Sequence, residues 1–371
     1  MQPKARIREP IICLHLGAGK HGTNPEKRKK LKQLSRLALS TGLTALRNGG
    51  SAVQVCVEVC KLLEDSPLTN AGFGSQLTEN GRVECDASLM ESHHRIGTAV
   101  SCVSRVKNPI DVTEKMYCNI LVKSLNDHGR SKPVSLCGSG AELFAEKRGC
   151  SMVPVDEMIT QESKLTYDYW NSIFDTQKAS TTSTNNSLST LSSAAAMLDS
   201  IGVPQDTVGV ICVDIDGVHA VCSSSGGITY AAPGRIGPAG IIGASSFVDQ
   251  NSQYTVSCCA TGHGDDIITL RLAQLFCSSY LEQTDVYEGE IVNQIFKSSS
   301  TLLQTNPLYA GVMAVIDAHN GNPSLLFAHS TDSMIVGSAT VEKTEVFIST
   351  NPSVGKVVLE VESLGYSWRE T

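Results

Sequence analysis

The chain has 371 residues, 41% of them hydrophobic and 18% charged, enough to bury a large core as one big domain of helices and strands or as two. A formal charge of −7 argues against nucleic-acid and anionic-membrane partners, which need a dominant basic surface, and no window approaches the ~20 apolar residues of a membrane span. Thirteen cysteines, an odd number with no Cys-x-x-Cys pair and no Cys/His cluster at zinc spacing, support neither a disulfide framework nor a metal site and fit a reducing compartment.

The run from Ile11 to Leu16 after Pro10 reads as a buried strand, and Gly17-Ala18-Gly19 as the tight turn that ends it. That run is too short for a secretory signal and no cleavage site follows it, so a cytoplasmic or nuclear location is expected, not secretion. A helix is predicted from Pro25 to Arg47, closed by Asn48-Gly49-Gly50, with Lys27-Arg28-Lys29-Lys30 as its solvated start rather than an import signal. A second helix runs from Ser51 to Leu63. The turn-rich segment from Asp65 through Asn70 to Gly74 follows, then strands at 82–87 and 98–106 and helices near 112–125 and 141–147. From about Ser151 the periodicity fades, and Thr176 to Ser193 has almost no large apolar residue. Such a segment cannot bury enough surface to offset its ordering entropy, so residues 151–206 read as a mobile linker. Beyond it come strands at 207–214 and 218–223, a glycine-rich loop, a strand at 254–260, helices at 265–280 and 290–303, and strands at 309–317 and 325–329. Strands and helices in both halves suggest stacked layers, with sheets inside and helices outside.

Asp206-Thr207-Val208-Gly209 lies where the linker meets the first of these later strands. A threonine hydroxyl is a poor nucleophile at neutral pH, but a threonine whose α-amine has been freed carries its own general base, with a pKa near ~8 and within reach of its own Oγ. Cleavage between Asp206 and Thr207 would create such a residue. An isolated Asp-Thr is an ordinary loop-to-strand junction; the joint order of what surrounds it carries the argument. Ser225 in Ser223-Ser224-Ser225-Gly226-Gly227, Arg235 in Pro233-Gly234-Arg235-Ile236-Gly237, and Thr261-Gly262 in Thr261-Gly262-His263-Gly264-Asp265 follow at spacings a nucleophile site can use, and Asn70 stands in the first half.

Together, HLGAG (15–19), DSPLTNAGFGS (65–75), ECDAS (84–88), DTVG (206–209), SSSGG (223–227), PGRIG (233–237) and TGHGD (261–265) resemble the asparaginase type-2 family of N-terminal-nucleophile hydrolases, and within it the threonine aspartase (taspase) branch. The resemblance covers most of residues 10–110 and 205–340. It implies an α+β fold, a four-layer αββα sandwich built as one structural domain from two fragments, 1–206 and 207–371. The chain would cut itself between Asp206 and Thr207 and assemble as αβ or (αβ)2, with no cofactor and no metal. By the same resemblance Thr207 is the nucleophile, Ser225 the second hydroxyl beside it, Arg235 the clamp for a substrate carboxylate, Thr261 and Gly262 the oxyanion-binding pair, and Asn70 a residue near the active centre.

Two departures bear on substrate. Asparaginases place an aspartate three residues after the clamping arginine to pair with the ammonium of a free amino acid; here that position is Pro238. An ammonium left unpaired there is expected to cost about 1–3 kcal/mol. The segment from His329 to Met334 also follows the threonine-aspartase pattern. Both favour an endopeptidase that cleaves proteins after aspartate at internal Asp-Gly sites, with nuclear transcription regulators as the implied substrates. The alternative is an L-asparaginase or isoaspartyl dipeptidase on the same fold.

Overall fold

Along β6 (Val208–Val213) every residue is buried, so both faces of the strand must be covered. Val208, Val210 and Cys212 pack into one core, while Ile211 and Val213 pack into another. The adjacent β7 (His219–Ser225) divides in the same way, with Ala220 and Cys222 on the first face and Val221 on the second. Period-2 alternation therefore sorts this sheet between a helix layer and a second sheet. The computed structural model describes residues 6–22, 24–122, 130–179, 207–303, 307–319, 321–365 and 368–370.

The larger sheet has eight strands, in the order β13 (Thr344–Thr350), β12 (Ser333–Ala339), β2 (Ile11–Gly19), β6, β7, β3 (Cys85–Glu91), β4 (Gly97–Val103) and β5 (Ser135–Cys137). Its outer face is covered by α1 (Pro25–Arg47), α2 (Ala52–Glu64), α3 (Pro109–Leu121) and α4 (Gly138–Lys147). The smaller sheet runs β14 (Val358–Ser363), β11 (Ser324–His329), β10 (Ala310–Ala318), β9 (Tyr254–Gly262) and β8 (Ser246–Gln250). Three helices flank it, α6 (Gly264–Leu270), α7 (Leu272–Glu282) and α8 (Glu288–Leu302). A third core lies between the sheets, where Cys13, Ile211 and Val221 of one meet Cys259, Met313 and Phe327 of the other. The expected four-layer αββα sandwich is the observed one. A short ribbon pairs β1 (Arg6–Arg8) with β15 (Trp368–Glu370).

The first helix matches its predicted bounds because its ends are written in the sequence. Asn24 caps it by accepting from the N–H groups of Glu26 and Lys27, Pro25 fills the first turn, and Arg47 sits in the last. The predicted helix at 265–280 is instead two, broken at Arg271, which adopts a left-handed φ of 49°.

The linker is the principal correction. Residues 151–179 are structured: Met152 bridges to Val106, and a helix, α5 (Gln161–Ala179), follows. Its aromatic residues account for this. Phe174 stacks on Tyr230 with ring centroids 4.8 Å apart, Tyr167 stacks on the same ring at 5.8 Å, and Trp170 stacks on Phe174 at 6.0 Å. Residues 180–206, including Asp206 and most of the Ser/Thr-rich run, lie outside the described residues. Phe174→Ala should cost about 1–2 kcal/mol of local stability through the lost ring pairs. Hydrogen exchange is expected to accelerate over 161–179 while the β6 and β7 amides keep their protection; equal acceleration in both places would show that α5 is not a separately attached element.

Candidate active site

Thr207 precedes β6 by one residue and is 6% exposed. The strand's alternation puts its side chain on the face shared with Gly209 and Ile211, toward the second sheet. The backbone at Gly209 is closed in from two sides: a Cβ there would come within 2.3 Å of His15 Nε2 on the adjacent β2 and 2.9 Å of Cys259 Sγ on the second sheet. Antiparallel pairing of β6 with β7 sets Val208 opposite Ser224, so Ser225 lies at the same end of the sheet as Thr207. Its odd-numbered position gives it the same inter-sheet face. Ser225 is buried, and its Oγ accepts from Gly227 N at 3.2 Å, which leaves the hydroxyl proton to donate.

The second sheet delivers Thr261 and Gly262 to this same end. Thr261 is fully buried, and its Oγ1 accepts from Ala18 N of the facing sheet at 3.4 Å. Its own proton is then left to donate to an oxygen that gains charge. Gly262 has a φ of +133°, and a Cβ would lie 2.5 Å from Tyr309 O and 2.6 Å from Ala310 Cα, so only glycine lets β9 end against β10 in this way.

Asn70, also fully buried, fixes the turn behind Ser225. Its Nδ2 donates to Gly227 O at 2.7 Å, its Oδ1 accepts from Gln76 N at 3.0 Å, and its carbonyl accepts from Gly226 N. It is a positioning residue, because its polar groups are engaged with backbone.

Arg235 reaches the site from the loop after β7. Its Nη2 lies 2.8 Å from Asp265 Oδ1, and its buried Nε has no partner among the described residues, so donors remain for a carboxylate. Asp86 holds this loop from below, accepting from Gly237 N at 2.6 Å and Cys102 N at 2.9 Å. Burial pushes the Asp86 carboxyl up to about 7, against the pull of those two N–H groups and of Arg235. Pro238 stands in the short turn Pro238–Gly240, so no anion occupies its position. The exposed Asp265 nevertheless brings a carboxylate to the arginine from a different strand end.

Beside Gly262 opens a cavity of about 500 Å3, walled by Ala18, Trp170, Phe174, Tyr230 and Tyr309. The aromatic side of that wall is built by Trp170 and Phe174 of α5 and by Tyr230, on which Phe174 stacks. Tyr309 OH donates to Asp332 Oδ2 at 2.8 Å, which is where the segment from His329 to Met334 meets the site.

Two site residues were missed by sequence reasoning. His15 Nδ1 accepts from Gly17 N at 3.1 Å, which puts its ring proton on Nε2, toward Gly209. Complete burial lowers its pKa to about 3, so it faces β6 as a neutral imidazole. Its signal was its place in HLGAG. Glu64, at the end of α2, is fully buried and accepts from Ser224 Oγ at 2.7 Å and Ile110 N at 3.1 Å. Nothing in its local sequence marks it.

A sandwich that brings a strand-initial threonine, a second hydroxyl and a Thr-Gly pair to one inter-sheet end has the layout of an N-terminal-nucleophile hydrolase. The sequence profile of the asparaginase family matches residues 8–348, and the chain belongs to that family. It is 32% identical over 339 residues to a probable isoaspartyl peptidase/L-asparaginase 2 of Arabidopsis thaliana, covering 89% of this chain and 95% of the relative. It is 31% identical over 266 residues to the isoaspartyl peptidase/L-asparaginase of Bos taurus, covering 72% and 75%. The isoaspartyl peptidase of Escherichia coli (strain K12) is 28% identical over 326 residues, covering 85% and 89%. Among the described residues no group of His, Cys, Asp and Glu side chains is placed to hold a metal ion, and no helix is long and apolar enough to cross a membrane.

Glu64 supplies a pH signature for the site. Burial raises its carboxyl from an ordinary 4.5 to about 8, outweighing the bonds from Ser224 and Ile110. A folded-state pKa above the unfolded one means that this group's contribution to stability is complete below pH 4.5 and is lost as pH rises through about 8. Glu64→Gln keeps an acceptor for both donors and removes the titration. The melting temperature of the wild type should therefore decline between pH 5 and pH 8 more steeply than that of Glu64→Gln, and parallel curves would place the ionisation elsewhere.

Proposed function

We propose that the chain is a self-processing threonine hydrolase that cuts itself between Asp206 and Thr207 and then cleaves polypeptides after aspartate. Thr207 Oγ attacks a carbonyl, and the freed α-amine of Thr207 takes the hydroxyl proton. Ser225 donates to the nucleophile oxygen and holds it in line, and Thr261 with Gly262 stabilises the oxyanion. Arg235 binds the aspartate side chain before the scissile bond. The observation that carries this reading is that Thr207, Ser225 and Thr261 converge on one end of the inter-sheet layer, with Arg235 at its rim. A polypeptide substrate is supported by the cavity of about 500 Å3, which is larger than a free amino acid needs, and by Pro238 in place of an ammonium-binding acid. The fragments 1–206 and 207–371 would remain together as αβ or (αβ)2. Nuclear transcription regulators as substrates rest on the resemblance alone.

A second reading, hydrolysis of free asparagine or isoaspartyl dipeptides, has direct support from the printed names of the relatives, all isoaspartyl peptidases or asparaginases. It also draws on Asp265, whose carboxylate beside Arg235 supplies a cation and anion pair for an amino acid's two charges.

A substrate panel separates the two. Wild-type protein is expected to cleave a peptide containing an internal Asp-Gly bond and to turn over asparagine and an isoaspartyl dipeptide weakly. Thr207→Ala should abolish self-cleavage and all turnover, because one oxygen attacks in each reaction, while Thr207→Ser retains part of both. Arg235→Ala should lose about 2–5 kcal/mol of transition-state stabilisation on the aspartyl peptide. Robust hydrolysis of asparagine or the isoaspartyl dipeptide with no cut in the peptide would replace the first reading by the second. A Thr207→Ala chain still cut after Asp206 would overturn self-processing under either.

A further inference from the structure

Directly behind the strand that follows Thr207 lies a cluster of thiols that the proposed reaction does not use. Cys56 and Cys60 stand one turn apart on the face of α2 that packs on the larger sheet, and Cys212 and Cys222 come from β6 and β7. All four are free thiols and completely buried. Cys222 lies within hydrogen-bonding reach of both helix thiols, Cys56 and Cys60, and Cys56 Sγ approaches Cys222 Sγ to 3.3 Å. Cys56 Sγ also sits 3.4 Å from Val210 O, and Cys222 Sγ lies 3.7 Å from Cys56 O, so the two side chains and the two backbones are held together by packed, regular elements.

We propose that Cys56 and Cys222 form an oxidisable pair, and that a low-molecular-weight disulfide converts them to a covalent link between α2 and β7. The two thiols lose their protons and two electrons as Cys56–S–S–Cys222 forms, and the disulfide reagent is reduced to two thiols that carry those protons away. The sulfurs must close from 3.3 Å to about 2.05 Å, and the reagent reaches these buried thiols through transient opening of α2 from β7. Under the self-processing reading, residue 56 belongs to the first fragment and residue 222 to the second. The link then joins the two products of the cut, behind the strand that carries Ser225.

The test is oxidation of the native protein with oxidised glutathione, followed by denaturation in an alkylating agent and peptide mapping by tandem mass spectrometry. The exposed Cys118 and Cys137 serve as positive controls for the oxidant. The expected product is a peptide pair joined through Cys56 and Cys222, absent from Cys56→Ala and Cys222→Ala and retained in Cys60→Ala and Cys212→Ala. In cut protein it also makes the two fragments migrate as one band without reductant. Recovery of Cys56 and Cys222 as alkylated free thiols from wild-type protein in which Cys118 and Cys137 are fully modified would overturn the proposal, as would a link from Cys60 to Cys222 instead. The mapping reads the same bond in a cut or an uncut chain, so its failure is distinguishable from a failure of self-processing.

Discussion

The alternation of side chains along β6 and β7 is the constraint on which the rest of the molecule depends. Because Val208, Val210 and Cys212 must face the helix layer, Thr207 is turned the other way, into the gap between the sheets. The pairing of Val208 with Ser224 then brings Ser225 to its side. A shift of one residue in that register would turn the threonine into the helix layer and dismantle the site. The second sheet obeys the same rule along β9, where Cys258 and Ala260 face the outer helices while Cys259 faces inward and Thr261 continues the inward series. Thr207, Ser225 and Thr261 are thus brought to one end of the inter-sheet layer because three apolar patterns agree.

Around this fixed centre the substrate-facing parts come from connections rather than strands. Arg235 stands on a loop braced by Asp86, and the cavity wall is completed by α5 through Tyr230. Division of labour of this kind is common in enzymes, with rigid strands holding the chemistry and variable segments setting what reaches it. Under the proposed function the hydroxyl centre is common to both substrate readings, and the residues around Arg235 decide between them. Pro238 and Asp265 are the two residues at which those demands conflict here. The first removes an anion from its usual place, and the second returns one from the start of α6.

Much of this was legible in the sequence, and the exceptions have physical reasons. The first helix was marked at both ends by Asn24-Pro25 and Asn48-Gly49, the strand after Thr207 by an apolar run, and the strand leading to Ser225 by Val218, Ala220, Val221 and Cys222 around His219. The glycines of motifs such as TGHGD marked where backbone must approach backbone, as at Gly262. The helix α5 was missed because its surroundings are polar and its stability comes from rings that stack on a residue over fifty positions later. Tyr167, Trp170 and Phe174 do recur at helical spacing, so a weak signal was present. The break at Arg271 was invisible, since no glycine or proline marks it. Strands β12, β13 and β14 were passed over despite alternating residues, because the resemblance drew attention to His329–Met334 alone. Glu64 and His15 acquire their character only from burial, which no local pattern reveals.

Under the proposed function Thr207 becomes an amino-terminal nucleophile by the chain's own action. Intact-mass measurement of purified wild-type protein, with amino-terminal sequencing of each species, tests it most directly. Two fragments are expected, 1–206 and 207–371, the second beginning with an unmodified threonine amine, and a single uncut species for Thr207→Ala. A fully active wild-type protein that remained one chain of 371 residues would contradict it, because catalysis would then proceed without the freed amine on which the mechanism rests.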